Sequence, residues 1–227
     1  MTKRVWLSWS SGKDSAWALH RMRQEGEHEV CGLFTTVNAH FDRVAMHAVR
    51  RSLLERQAQA AGLPLAVINL PWPCSNSEYE KIMSKFCQEA VEQEVQGFAF
   101  GDLFLEDVRQ YRISHLKQTP LEPIFPLWKI PTPSLAREMI GAGLRAKLTC
   151  VNPKQLSRSF AGRNFDLSLL ADLPEDVDPC GENGEFHSFV YAGPMFEYPF
   201  NVHIGEITER DGFIFADVLP KTNRGVV

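Results

Sequence analysis

The chain has few of the features that staple a small secreted domain or carry a protein into a membrane. Its five cysteines (Cys31, Cys74, Cys87, Cys150, Cys180) are odd in number, and no two form a C-x-x-C pair. That argues against a disulfide frame or a zinc site and for reduced thiols in a cytoplasmic protein. No window reaches the roughly 18 apolar residues of a membrane span. The apolar stretch at 5–9 is too short for a secretory signal and already contains Ser8. Positive charge is not in excess: 24 Lys and Arg face 28 Asp and Glu, a net charge of -4. This argues against a nucleic-acid binder that relies on a broad basic surface. A Walker A loop is also missing, because no glycine stands five residues before Gly12. What remains is ordinary globular composition, 44% hydrophobic and 23% charged over 227 residues. A chain of that length buries roughly 70% of its unfolded surface and needs no metal to fold.

Apolar runs and helical periods alternate along the first 130 residues. Strands are expected at 4–9, 30–37, 65–70, 97–101 and 121–125. Helices are expected at 14–26, 44–61, 77–95 and 104–118, with Gly26 and Gly62 as stops. This alternation implies an α/β fold, a doubly wound parallel sheet of Rossmann-like type, with ligands at the carboxyl ends of its strands. After Ile130-Pro131-Thr132-Pro133 the rhythm changes. A helix at 134–141 and strands at 144–151, 188–192, 202–210 and 213–219 predict a smaller α+β domain. Residues 152–187, rich in Pro, Gly, Asp and Asn, read as loop. The expected boundary therefore divides 1–130 from 131–227. Trp6, Trp9 and Trp17 are expected in the core, and Cys150 and Cys180 as buried thiols.

The densest signal is Ser10-Ser11-Gly12-Lys13-Asp14-Ser15, between a strand and a helix. Small residues let backbone N–H groups approach phosphate oxygens, and the helix N-terminus adds unpaired donors and a positive dipole end. Lys13 can neutralise phosphate charge, the Ser10 and Ser15 hydroxyls can donate, and Asp14 can cap the helix or hold Mg²⁺. The plain alternative is a helix cap with an incidental lysine. At the end of the fourth strand, Gly101-Asp102 precedes Glu106, Asp107, Arg109, Tyr111 and Arg112. Asp102 is a candidate Mg²⁺ ligand, and Arg109 or Arg112 can hold a phosphate or carboxylate. Glu106 stands three residues before Arg109, a spacing that also suits a surface ion pair. The third segment is Cys180-Gly181-Glu182-Asn183-Gly184-Glu185-Phe186-His187-Ser188. Its glycines force sharp turns that present Glu182 and Glu185 from nearby points, suited to a cation or to a proton from attacking ammonia. A polar turn with a satisfied His187 is the structural alternative.

The first segment resembles the pyrophosphate loop of the N-type ATP pyrophosphatases, written S-G-G-x-D-S, with Ser11 in place of the first glycine. That replacement is conservative if Ser11 has a negative φ. Together with the Gly101-Asp102 to Glu106-Asp107 segment, Glu122-Pro123 with Pro126-Leu127-Trp128, and residues 181–188, in this order and spacing, nearly the whole chain resembles the diphthine–ammonia ligase family of ATP pyrophosphatases. The resemblance implies a HUP-type ATP-binding domain at 1–130 and a substrate-binding domain at 131–227. It implies ATP and Mg²⁺, a protein-borne or small-molecule carboxylate and ammonia as reactants, and an amide, AMP and pyrophosphate as products. Residues 10–15, Gly101 and Asp102 would bind the nucleotide, with Asp14 and Asp102 as metal ligands. Lys13, Asp14, Glu182 and Glu185 would carry catalysis. Glu106, Arg109, Asn183, Gly184 and His187 would bind substrate. A homodimer also fits. Asn183 and His187 replace a glycine and a glutamate of the diphthine-acting members, an E-N-G-E-F-H form similar to a bacterial branch for which a small-molecule acid, such as a corrinoid precursor, has been suggested. A tRNA-sulfurating relative would need paired cysteines and a basic surface. A glutaminase of its own would need many more residues or a cysteine where Thr2 stands, so ammonia comes free or from a partner. A non-catalytic nucleotide sensor is the alternative of another class. Met46 and His47 are candidates to line an adenine pocket.

Overall fold

The computed structural model describes residues 2–40, 43–44 and 49–221. The chain runs β1 (Lys3–Ser8), α1 (Lys13–Glu25), β2 (His28–Asn38), β3 (Arg43–Val44), α2 (Arg51–Ala60), β4 (Leu65–Leu70), α3 (Asn76–Glu92), β5 (Gly97–Ala99), α4 (Glu106–Leu116) and β6 (Glu122–Ile124). It continues with α5 (Thr132–Gly141), β7 (Arg145–Val151), a 3₁₀ turn at Arg158–Phe160, α6 (Leu167–Asp172), β8 (Phe186–Ala192), β9 (Val202–Arg210) and β10 (Phe213–Pro220). Five strands are parallel in the order β4-β2-β1-β5-β6, and β3 adds an antiparallel pair to the end of β2. The second sheet is antiparallel, in the order β8-β7-β10-β9. The first half is thus the doubly wound parallel α/β unit, and the second is α+β. Among the described residues, no helix is long and apolar enough to cross a membrane.

The strand order fixes the place of a site. The chain winds from β1 outward to β2 and β4, then returns to β5 and β6 on the other side of β1. The carboxyl ends of β1 and β5 therefore flank the switch point where such sheets bind ligands. Both faces of β1 are covered, as a central parallel strand requires. Val5, Leu7 and Trp9 enter one apolar cluster, while Trp6 packs with Phe34, Phe86 and Phe98 in another. The first cluster continues through Leu148, Phe186, Phe189 and Ile214 of the second sheet. The two halves share one core.

Several boundaries differ from expectation, each for a local reason. The helix expected over 44–61 begins only at Arg51, because Val44 is extended and pairs with Val37. Residues 45–48, and with them the Met46–His47 candidate, lie outside the described residues. The loop expected at 152–187 holds the 3₁₀ turn and α6, which Asp166 caps by accepting from Leu169 N at 2.9 Å. Trp6, Trp9, Trp17, Cys150 and Cys180 are buried as expected.

Candidate active site

The chain leaves β1 at Ser8, and Trp9 N–H still donates to Phe34 O at 2.7 Å. It then turns into α1, whose N-cap is Gly12, a residue with no side chain to cap it. Ser11 sits at φ 73, not at the negative φ that would have made its replacement of glycine neutral. A serine held in the left-handed region costs on the order of 1 kcal/mol. Its carbonyl accepts from Val190 N–H at 3.1 Å and from Gln57 Nε2 at 3.0 Å. The Ser15 hydroxyl donates to Gly12 O at 3.1 Å and lies 3.1 Å from Ser10 Oγ, and Lys13 N–H donates to Ser188 Oγ at 3.2 Å. Gly101, just after β5, packs against the first turn of α1. A Cβ there would lie 2.9 Å from Asp14 C and Ser15 N, so only glycine lets the two elements meet.

Above the loop is a cavity of about 290 Å³. It is lined by Ser10, Lys13, Asp14 and Ser15 of the loop, by Asp102 and Arg112, and by Glu182, Gly184 and His187 from the second half. The Lys13 side chain is only 3% exposed, with Nζ 2.8 Å from Asp14 Oδ2 and above the rings of Phe165 and Phe186 at 5.7 and 5.4 Å. Burial pushes its ammonium down, but Asp14, Cys180 and Glu182 together outweigh this and hold it above the ordinary value, so it stays charged. Burial pushes the Asp14 carboxyl up against the pull of Lys13, and does the same at Asp102 against Arg112, whose Nε is 3.5 Å away. Asp14 Oδ1 is enclosed and without a hydrogen-bond partner among the described residues, and the enclosed Asp102 Oδ2 has only the 3.5 Å ion pair with Arg112. Enclosed carboxylate oxygens of this kind, that of Asp14 unpartnered, are hard donors of the sort Mg²⁺ takes. Glu182 Oε1 accepts from Leu103 N–H at 2.8 Å, and burial pushes its carboxyl up to about 7. Burial, aided by Lys13, pulls His187 down to about 4, so its imidazole is neutral at physiological pH.

A second cavity of about 320 Å³ adjoins the first and shares Ser8, Ser10, Phe100, Arg112 and His187 with it. It is mostly apolar, floored by Phe34, Met83 and Phe98, with Thr35, Thr36, Tyr79 and Tyr111 around it. A polar, cation-bearing chamber beside a flat aromatic one matches the two chemical halves of a nucleotide.

Of the residues singled out by sequence, Ser10, Lys13, Asp14, Ser15, Gly101, Asp102, Glu182, Gly184 and His187 line the first cavity. Ser11 and Gly12 shape the loop behind it. Glu185 does not line it: it is 1% exposed, and its Oε1 accepts from Asp178 N–H at 2.9 Å and Asn183 Nδ2 at 3.1 Å. Glu185 and Asn183 thus brace the turn that presents Glu182. Arg109 pairs with Glu106 at 3.3 Å and lies over Phe125 and Trp128 at 5.2 and 4.9 Å, outside the cavity. Its neighbour Arg112 is the arginine that enters. Ser188 and Gln57 were not anticipated. Ser188 stood in the dense third segment, whereas Gln57 carried no signal within its helix.

Two family models match the chain: the diphthamide synthase N-terminal domain over residues 3–118, and the diphthamide synthase C-terminal domain over residues 131–217. The chain belongs to the diphthamide synthase family. The N-terminal match contains the loop, Asp102 and Arg112, and the C-terminal match contains Glu182 and His187. Curated relatives in this family include the diphthine–ammonia ligases of Rattus norvegicus, 24% identical, and Homo sapiens, 25% identical, each aligned over 92% of this chain and 86% of its own length. That of Danio rerio is 25% identical over 92% of this chain and 90% of its own. Among solved structures, a U34-tRNA thiolase from Methanococcus maripaludis aligns over 62% of this chain and 58% of its own, at 17% identity and a TM-score of 0.40, a level at which no chemistry transfers.

Proposed function

We propose that the chain is an ATP-dependent amide-forming ligase that adenylates a carboxylate, releases pyrophosphate and delivers ammonia to the acyl adenylate. The observation that carries this reading is that the glycine-started α1, with Lys13 and Asp14, lines one cavity together with Glu182 from the second half. The name shared by the curated relatives, diphthine–ammonia ligase, supports it. In this reading, residues 1–130 bind ATP and residues 131–227 complete the acceptor site. The triphosphate lies on residues 10–15, where backbone N–H groups and the positive end of α1 meet its charge. The nucleoside occupies the aromatic chamber. Asp14 and Asp102 are the residues that would hold Mg²⁺, which supplies charge neutralisation for the phosphates.

In the first step a carboxylate oxygen of the acceptor attacks the α-phosphorus and the bond to the β-phosphate oxygen breaks. Pyrophosphate leaves with the electron pair, and Lys13 with the α1 terminus stabilises its charge. Arg112, between the two chambers, is placed to hold the acceptor carboxylate or the α-phosphate. In the second step the ammonia nitrogen attacks the acyl carbon, AMP leaves, and one proton passes from nitrogen to Glu182. A carboxyl pushed up to about 7 is poised to accept that proton near neutral pH. Glu185 serves this chemistry by holding the turn beneath Glu182. A second reading of the acceptor, a small-molecule acid in place of diphthine, draws on His187, whose neutral imidazole offers a quaternary ammonium no negative charge. The test is product analysis with MgATP, ammonium and candidate acids. AMP and pyrophosphate, formed only with a competent acid, are the expected products, and ADP with phosphate would overturn the reading.

A further inference from the structure

Gln57 is fully buried in α2, and every polar atom of its amide is engaged. Its Oε1 accepts from Trp9 Nε1 at 2.8 Å. Its Nε2 donates to Ser11 O at 3.0 Å and to Val190 O at 2.6 Å. The indole N–H can only donate, so the amide orientation is fixed by chemistry. One side chain thus ties the end of β1, the apex of the phosphate loop and strand β8 together. Val190 N–H adds a second donor to Ser11 O at 3.1 Å, filling both lone pairs of that carbonyl.

Ser11 is where the loop most needs holding. At φ 73 it occupies a conformation that glycine takes freely and serine does not. In a trans peptide the C=O and the following N–H point in opposite directions. Donors that draw the Ser11 carbonyl toward α2 and β8 therefore aim the Gly12 N–H the other way, toward Ser10, whose Oγ it meets at 3.3 Å and which lines the first cavity. We propose that Gln57 is a positioning residue for the phosphate loop: it stabilises the left-handed Ser11 and so directs the Gly12 N–H toward bound phosphate. The proposal rests on the reading of residues 10–15 as the phosphate site.

The test compares Gln57→Met, which removes both donors at similar length, in the wild-type chain and in the Ser11→Gly background. MgATP affinity is read by calorimetry, and KM and kcat by pyrophosphate release. With Ser11 present, Gln57→Met should weaken MgATP about tenfold, mostly in KM. With Ser11→Gly, the same substitution should cost less than about threefold, because glycine holds the turn unaided. Equal losses in both backgrounds, or none in either, would overturn the proposal by reducing Gln57 to packing. If Gln57→Met does not fold, Gln57→Glu gives a second readout. Its buried carboxyl keeps a donor only while protonated, so MgATP affinity should decline as pH rises from 6 to 9 relative to the wild-type chain, and a parallel profile would overturn the proposal. A wild-type chain that binds no MgATP would instead overturn the phosphate-loop reading beneath it.

Discussion

Helices α1 and α3 begin in opposite ways. At α3, Ser75 Oγ accepts from Glu78 N–H at 3.3 Å, and Glu78 Oε2 accepts from Ser75 N–H at 3.0 Å, a complete capping box at an exposed helix end. At α1 the N-cap is Gly12, which has no side chain to close the end; Ser10 Oγ accepts from Gly12 N–H at 3.3 Å, Ser188 Oγ accepts from Lys13 N–H at 3.2 Å, and the Ser15 hydroxyl turns to Gly12 O. A cap from the N-cap residue's own side chain contributes about 1 kcal/mol, which Gly12 cannot supply, and the left-handed Ser11 beside it adds a further cost. The helix that closes its own end does so with two residues. The helix that leaves its end open does so at the switch point of the sheet, under a cavity. That is the arrangement expected where an anion completes the helix.

The largest effect should follow from Asp14→Asn. It keeps an oxygen near Lys13 Nζ but removes the charge offered to a cation, so pyrophosphate release should fall by about 10² or more. Circular dichroism should show a folded chain. Retained turnover would mean that the open helix end is not a phosphate site.

Next is Glu182→Gln. As a base Glu182 works only when ionised, so the wild-type rate should fall on the acid side with a midpoint near 7, and the variant should lose that limb together with roughly 10²-fold in rate. The same raised pKa has a sign for stability. The folded chain keeps a proton that the unfolded chain gives up, so this carboxyl destabilises the fold as pH rises from the ordinary carboxylate range to about 7. Urea titrations at several pH values should show Glu182→Gln without that decline.

The smallest effect sharpens the contrast from the other end. Ser75→Ala should lower stability by about 1 kcal/mol and leave MgATP affinity unchanged. A change in affinity would mean that the two helix ends are not independent.

The parallel half was legible mainly through β1, α1 and α2, which carry dense runs of buried residues. β4 ran over the residues expected, and the loop after β1 announced its chemistry in six consecutive positions. α6 escaped because six residues hold fewer than two helical turns, too few to show a period, although Asp166 three residues before Leu169 was a usable cap signal. Glu185 was visible as a carboxylate, but nothing local says whether a side chain in a glycine-rich turn faces the cavity or the core. The choice between Arg109 and Arg112 was likewise set by tertiary contacts, since Phe125 and Trp128 stack on Arg109 while Arg112 lies over Phe100 and enters the cavity. Gln57 was invisible for the same reason: its partners lie 46 and 133 residues away.

The apolar cluster beneath α1 passes into β7, β8 and β10 as one continuous body. For anyone recombining these sequences, the two halves are therefore one heritable block. A chimera that imports the second sheet from a relative must also import the facing side of α1 and Gln57 with it, or the transplanted sheet will meet a surface shaped for another partner.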